Sequence, residues 1–185
     1  GIATIAPGRL HRVPVIPAPR NNNVDHAFNV IGVVRGTVQP EQYIVITAHY
    51  DHVGIGRVVD GDSLYNGADD NASGAAALVT LARHFQQARP RHSIVFAAVD
   101  GEERGMPGSR GFVDAPTVPL GQILVNVNLD MIGRNEEPSR QTDGLIDIDK
   151  DTSNELNLVG TPYSPEYRAV IERANARVRL KLNDK

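Results

Sequence analysis

Four short clusters of acidic and imidazole side chains concentrate the reactive chemistry of the sequence. They are Thr47-Ala48-His49-Tyr50-Asp51-His52, Asn66-Gly67-Ala68-Asp69-Asp70-Asn71-Ala72-Ser73-Gly74, Asp100-Gly101-Glu102-Glu103-Arg104-Gly105 and Asn128-Leu129-Asp130-Met131-Ile132-Gly133. The chain has no cysteine, which excludes a thiol nucleophile, a disulfide framework and every Cys-ligated zinc site. A metal ion would have to be held by His, Asp and Glu. In extended chain His49 and Asp51 project to the same side, so the aspartate can fix the imidazole tautomer and raise its basicity from behind. The competing reading is a hydrogen-bonded histidine at a strand end. In the second cluster, helix capping explains one of Asp70, Asn71 or Ser73. It leaves two adjacent aspartates among small residues, which let backbone and ion approach closely. Glu102 and Glu103 read either as a solvated pair or as two carboxylates pointing apart, one toward a metal and one toward a substrate. Asp130, an isolated acid after an apolar run, reads equally as a turn-former or loop cap.

The elements that must position these clusters follow from the apolar pattern. Residues 1–27 hold four prolines within the first 26 positions and the run Asn21-Asn22-Asn23, and are expected to be an irregular or extended lead-in. Phe28 to Arg35 and Tyr43 to His49 read as two strands joined by a turn, and Gly54 to Asn71 as a glycine- and aspartate-rich loop. From Ser73 the period becomes helical, with Ala75, Leu78, Ala82 and Phe85 on one face until Pro90. His92 to Val99 and Ile123 to Leu129 are apolar runs of the kind covered on both faces in a central sheet. Glu155 to Val159 reads as a further strand, and Tyr167, Val170, Ile171 and Ala174 as a closing helix after Pro165. Alternating strands and helices predict an α/β fold, a sheet flanked by helices. In such sheets sites lie beyond the carboxyl ends of the strands, where the four clusters fall.

At 185 residues and 41% hydrophobic content the sequence is expected to form one domain, residues 28–185. A net charge of −3 and a pI near 6.1 give no basic excess for nucleic acid or anionic membranes, and no apolar run is long enough for a membrane-spanning helix. The chain starts at Gly1 rather than Met and is read as a processed or trimmed piece. Its parent is expected to be secreted or to sit in the periplasm or cell envelope.

Taken in order and spacing, His49-Tyr50-Asp51, Gly67 to Gly74, Asp100 to Glu103 and Asn128 to Gly133 resemble the motifs of the M28 peptidases, the co-catalytic zinc aminopeptidase family, over about Asn29 to Gly133. The resemblance implies a three-layer α/β/α sandwich with a mixed, largely parallel sheet. It implies two Zn2+ ions, with His49 and Asp130 on one, Asp69 bridging both, Glu103 on the second, Glu102 as general base and Asp51 orienting His49. It also implies a cis peptide between Asp69 and Asp70. The function implied is an exopeptidase acting on peptides with a free N-terminus. Alternatives on the same scaffold are a carboxypeptidase or dipeptidase, a glutaminyl cyclase, or a non-catalytic binding domain. The family draws a further histidine for its second zinc from near the C-terminus, and no histidine follows His92. The catalytic domain is therefore expected to be incomplete at its C-terminal end, to hold at most one zinc tightly and to be nearly inactive alone.

The other histidines are assigned lesser roles. His11, His26, His84 and His92 are read as ordinary surface or structural residues, and His52 as lining the site without ligating. Asp147, Asp149 and Asp151 alternate as in a calcium loop, but Thr152 stands where that loop needs glycine and Leu158 where it needs glutamate. They are read as a solvated acidic loop.

Overall fold

The computed structural model describes residues 9–14, 26–135 and 154–184. The chain divides into two compact units, Gly1–Gly133 and Arg134–Lys185. Asp147, Asp149 and Asp151 lie outside the described residues.

The first unit is built on a five-stranded mixed sheet. Its strands are β1 (Arg9–Pro14), β2 (His26–Val34), β3 (Gln39–His49), β6 (His92–Val99) and β7 (Ile123–Asn128), in the order β1-β2-β6-β3-β7. β1–β2 and β2–β6 pair antiparallel, while β6–β3 and β3–β7 pair parallel. β6 is buried almost throughout because it is central, with a neighbour on each side. Side chains alternate strictly between faces. Ile31, Tyr43, Val45, Val95, Ala97 and Val99 pack on one side with Phe112 of helix α2 (Pro107–Asp114). Ile46, Ala48, Ile94 and Phe96 pack on the other with Leu78 of helix α1 (Ala72–Ala88). This gives three layers, helix on sheet on helix. Phe85 and Ala82 join Leu78 against the sheet, as the helical period predicts, and Arg89 closes α1 in the left-handed conformation one residue before Pro90.

Several expectations are corrected. Arg9–Pro14 lies in the expected irregular lead-in but forms a strand, because the outer edge of β2 offers it a continuous ladder. The two strands expected over 28–49 form as β2 and β3, and β6 inserts between them. The loop expected over 54–71 contains a hairpin, β4 (Gly54–Val59) with β5 (Asp62–Tyr65). Its turn is Asp60-Gly61 with φ of 52° and 88°, and Asp-Gly is a strong hairpin signal because both central residues of that turn need positive φ. β7 is only half covered, with Leu124 and Val127 exposed, since among the described residues it pairs with β3 alone.

The second unit is a β-α-β crossover. β8 (Glu155–Leu158) and β9 (Lys181–Asp184) run parallel, joined through helix α3 (Pro165–Asn175). Pro165 sits in the first helical turn, where its missing N–H has no partner to lose.

Helix α2 reaches its place by backbone contact. Gly108 N donates to the Asp100 carbonyl at 3.0 Å, Asn29 Nδ2 donates to the Gly108 carbonyl at 2.7 Å, and Asp100 N donates to Asn29 Oδ1 at 3.2 Å. A Cβ on Gly108 would lie 2.2 Å from the Asp100 carbonyl oxygen. Gly108→Ala should therefore destabilise the fold by about 1–3 kcal/mol, read as a lower urea midpoint; an unchanged midpoint would show that α2 can move away freely.

Candidate metal centre

The parallel strands β3, β6 and β7 end at one rim of the sheet. His49 is in register with Val99, and Thr47 with Asn128. Two further hydrogen bonds extend the ladder, Tyr50 N to the Val99 carbonyl at 3.1 Å and Leu129 N to the Thr47 carbonyl at 2.9 Å. His49-Tyr50-Asp51-His52, Asp100 to Glu103 and Asp130 consequently leave the sheet side by side.

His49 is 2% exposed. Its Nδ1 lies 3.1 Å from the Asp51 carbonyl oxygen and donates to it, which directs the Nε2 lone pair at the acids. Nε2 is 3.1 Å from Asp70 Oδ1 and 3.5 Å from Asp130 Oδ1. Asp51 thus orients His49 through its main chain, its carboxylate standing 3.6 Å from Nδ1. That carboxylate instead accepts from two backbone N–H groups, Glu102 N at 3.0 Å and Glu103 N at 3.2 Å. One aspartate therefore holds both the imidazole and the short 3-10 turn Glu102–Arg104.

The second cluster separates two neighbouring aspartates. Asp69 Oδ1 accepts from Gly133 N at 2.7 Å, which fastens the loop after Asp130. Asp70 turns the other way, with Oδ1 toward His49 and Oδ2 3.8 Å from His52 Nδ1. The cis peptide bond likewise lies between Asp70 and Asn71, not between Asp69 and Asp70. Asp69 and Asp70 lie in the turn 68–71 that leads into α1, so the pattern Asp-Asp in the sequence cannot say which carboxylate points inward.

Asn71 is 1% exposed and caps α1 by accepting from Gly74 N at 3.0 Å. It also accepts from Met131 N at 3.3 Å and donates to the Leu129 carbonyl at 2.9 Å. Ser73 Oγ donates to the Asp69 carbonyl and accepts from Ile132 N. The capping reading of this cluster thus holds for Asn71, and the cap doubles as the tie that sets Asp130 beside Asp70.

The donors fall into two groups, His49–Asp70–Asp130 and His52–Asp70–Glu103, each with its ligand atoms within 4.8 Å of one another. Tetrahedral ligands at zinc distances of about 2.0–2.2 Å stand about 3.4 Å apart. The measured N···O separations, 3.1 and 3.5 Å around His49 and 2.8 and 3.8 Å around His52, bracket that value, so the residues fit a pair of small divalent cations sharing Asp70. The structure places Asp70, which the sequence reading left out of the ligand set, and His52, which it read as lining the site, beside His49, Glu103 and Asp130.

The charges support the same arrangement. Burial alone would lower the His49 pKa, but the carboxylates of Asp130, Glu102 and Asp51 and the Asp51 carbonyl outweigh it and raise the pKa above the usual imidazole value. Burial pushes the Glu102 carboxyl up; His49 opposes this, while Glu103, Asp130 and Asp51 add to it. Glu102, His49 and Asp130 line a cavity of ≈ 360 Å³ together with Val45, Phe112 and Ile123. Behind the site Tyr50 OH donates to the Phe28 carbonyl at 2.6 Å beside Asp100 Oδ2. Burial and the Asp100 charge push its pKa up to about 12.

A mixed sheet sandwiched by helices, with carboxylates and imidazoles gathered at the rim of its parallel strands, defines an α/β protein with a metal-ligating donor set. The sequence model of peptidase family M28 matches residues 29–178, and the chain belongs to that family. A probable zinc metalloprotease of Leptosphaeria maculans is 39% identical over 117 residues, 62% of this chain and 26% of that protein. The chain thus spans about a quarter of the length of that curated relative. Among solved structures, a zinc aminopeptidase from Bacillus subtilis is 33% identical with a TM-score of 0.50, covering 60% of this chain and 26% of the other. A glutaminyl cyclase from Bacteroides thetaiotaomicron shares the fold at a TM-score of 0.64 and 19% identity, covering 96% of this chain and 62% of the other.

Asn71→Ala would leave the Gly74 and Met131 N–H groups and the Leu129 carbonyl without this partner. Each unsatisfied buried group costs about 1–3 kcal/mol, so the variant should lose stability on the order of 3 kcal/mol in denaturant titration. A loss under about 0.5 kcal/mol, the scale of an ordinary surface change, would refute the tie.

Proposed function

We propose that the chain carries the zinc centre of an exopeptidase, specifically an aminopeptidase that releases N-terminal residues one at a time. The observation that carries this reading is the Asp70 carboxylate, which presents one oxygen toward His49 and the other toward His52, with Glu102 in the adjoining cavity wall. Membership in peptidase family M28 and the likeness to a zinc aminopeptidase support it.

His49, Asp70 and Asp130 would hold one zinc, and Asp70 with Glu103 would hold the second. Asp70 takes the bridging role expected of Asp69, whose Oδ1 accepts from Gly133 N. Bound zinc supplies a water of lowered pKa and a polarised substrate carbonyl. Glu102 takes the proton of the attacking water and passes it to the leaving nitrogen as the new C–O bond forms and the C–N bond breaks. Its burial favours this work, since a carboxyl lifted above its ordinary range is a stronger base near neutral pH. Asp51 keeps the base in place through the two N–H bonds it accepts. The acids lining the cavity, Asp100, Glu102 and Asp130, attract a free α-ammonium group, which favours attack at the first peptide bond.

The test of the reaction class is release of amino acids from free and N-acetylated peptides, with zinc content measured in parallel. Aminopeptidase action predicts cleavage of the free peptides alone. Equal cleavage of both, release from the C-terminus, or cyclisation of an N-terminal glutamine would each overturn it.

Glu102→Gln should keep its zinc and lose about 100 to 10,000-fold in turnover; near-normal turnover would remove Glu102 from the role of base. Asp70→Ala should lose more zinc than Asp69→Ala, whose effect should fall on the stability of the 131–133 loop. The reverse order in a zinc titration would restore the bridging role to Asp69.

A further inference from the structure

β3 ends at His49, and the side chain of the next residue reaches across the rim. The sheet order puts β6 between β3 and β2, yet Tyr50 spans the end of β6 and its hydroxyl donates to the Phe28 carbonyl of β2 at 2.6 Å. On the way it meets the first residue after β6, with the hydroxyl 3.1 Å from Asp100 Oδ2. The same carboxylate oxygen accepts from Phe28 N at 3.1 Å. One phenol therefore straps together residues from three neighbouring segments.

Side chains take over here because the main-chain ladders stop. The β2–β6 register ends with Val30 opposite Ala98, and the β3–β6 register with His49 opposite Val99. Counting on along the antiparallel pair sets Phe28 opposite Asp100, whose carboxylate rather than its main chain receives the Phe28 N–H.

Tyr50 also stands between the two residues that organise the site. His49 Nδ1 is held by the Asp51 carbonyl, and the Asp51 carboxylate accepts from Glu102 N and Glu103 N. The turn that bears these glutamates has a glycine of positive φ at each end, Gly101 at 75° and Gly105 at 90°. Its internal bonds, Arg104 N to the Gly101 carbonyl and Gly105 N to the Glu102 carbonyl, close it on itself. Glycine leaves the backbone free on either side, so the direction of Glu102 depends on the ties that the turn makes to other segments.

We infer that Tyr50 is a positioning residue for Glu102: its hydroxyl, strapped to Phe28 and Asp100, fixes the segment from which the Asp51 carboxylate holds the turn. Tyr50 itself takes no part in ligation or proton transfer. The inference rests on the reading of Glu102 as the base and adds to it the device that keeps the base aimed.

Tyr50→Phe removes one oxygen from a side chain that is 44% exposed, and the ring stays to cover the same surface. Amide hydrogen exchange, followed by NMR on the metal-free 185-residue chain, tests the strap without relying on activity. In the variant the Glu102 and Glu103 N–H groups should exchange about tenfold faster, the scale of one lost hydrogen bond. Those of the buried Val95 and Ala97 in β6 should change far less, because the opening is local. In turnover of free peptides with zinc, kcat should fall about tenfold, as for a base slightly misplaced, with KM and zinc content little changed. Unchanged exchange at Glu102 and Glu103, or one common acceleration of all four amides, would overturn the inference. So would an unchanged kcat where the wild type turns over peptide. If the wild type turns over no peptide but the local exchange pattern is present, the strap stands and the exopeptidase reading fails.

Discussion

Crowding of negative charge at one end of a sheet is the constraint on which the site depends. Asp51, Asp70, Glu102, Glu103 and Asp130 converge on two imidazoles, and His49 is almost fully buried among them. Carboxylates this close repel one another, and a low-dielectric setting enlarges the repulsion. Burial first, and then the neighbouring carboxylates, raise the Glu102 pKa, while the same acids raise that of His49 against its burial. A divalent cation shared through Asp70 would relieve the same repulsion without protonation.

The rest of the first unit keeps those charges from moving apart. Parallel pairing of β3 with β6 and β7 brings three chain segments to one rim in register. The buried Asn71 amide, the Asp69 carboxylate and the Ser73 hydroxyl then tie the start of α1 to the loop around Asp130. Asp51 binds the turn bearing Glu102 and Glu103. Every acid of the site is thus paired with a backbone or side-chain contact that belongs to another segment, so the loss of one tie should be felt at several ligands.

Much of this was legible in the sequence, for reasons that can be located. The run His92–Val99 is apolar at nearly every position because β6 has helices over both faces, and the period of Leu78, Ala82 and Phe85 follows from packing against one of them. The rim positions of His49, Glu102, Glu103 and Asp130 were readable because His49 ends one apolar strand and the three acids follow two others within four residues. The choice between Asp69 and Asp70 was not, since it turns on the direction of two adjacent side chains. The place of His52 beside Asp70 and Glu103 was hidden for a different reason: it depends on the hairpin and on Gly67, where a Cβ would lie against the imidazole. β1 was masked by the prolines around it, and β7 was over-read, because an apolar run does not reveal that among the described residues only one flank is paired.

The central claim is that Asp70, not Asp69, is the shared carboxylate. Anomalous diffraction at the zinc absorption edge, from crystals of the zinc-loaded chain, tests it most directly. The account predicts anomalous density within about 2.0–2.2 Å of an Asp70 oxygen, with His49 Nε2 and Asp130 on the far side of that ion. Density centred on the Asp69 carboxylate, or zinc bound with Asp70 left outside ligand distance, would contradict it.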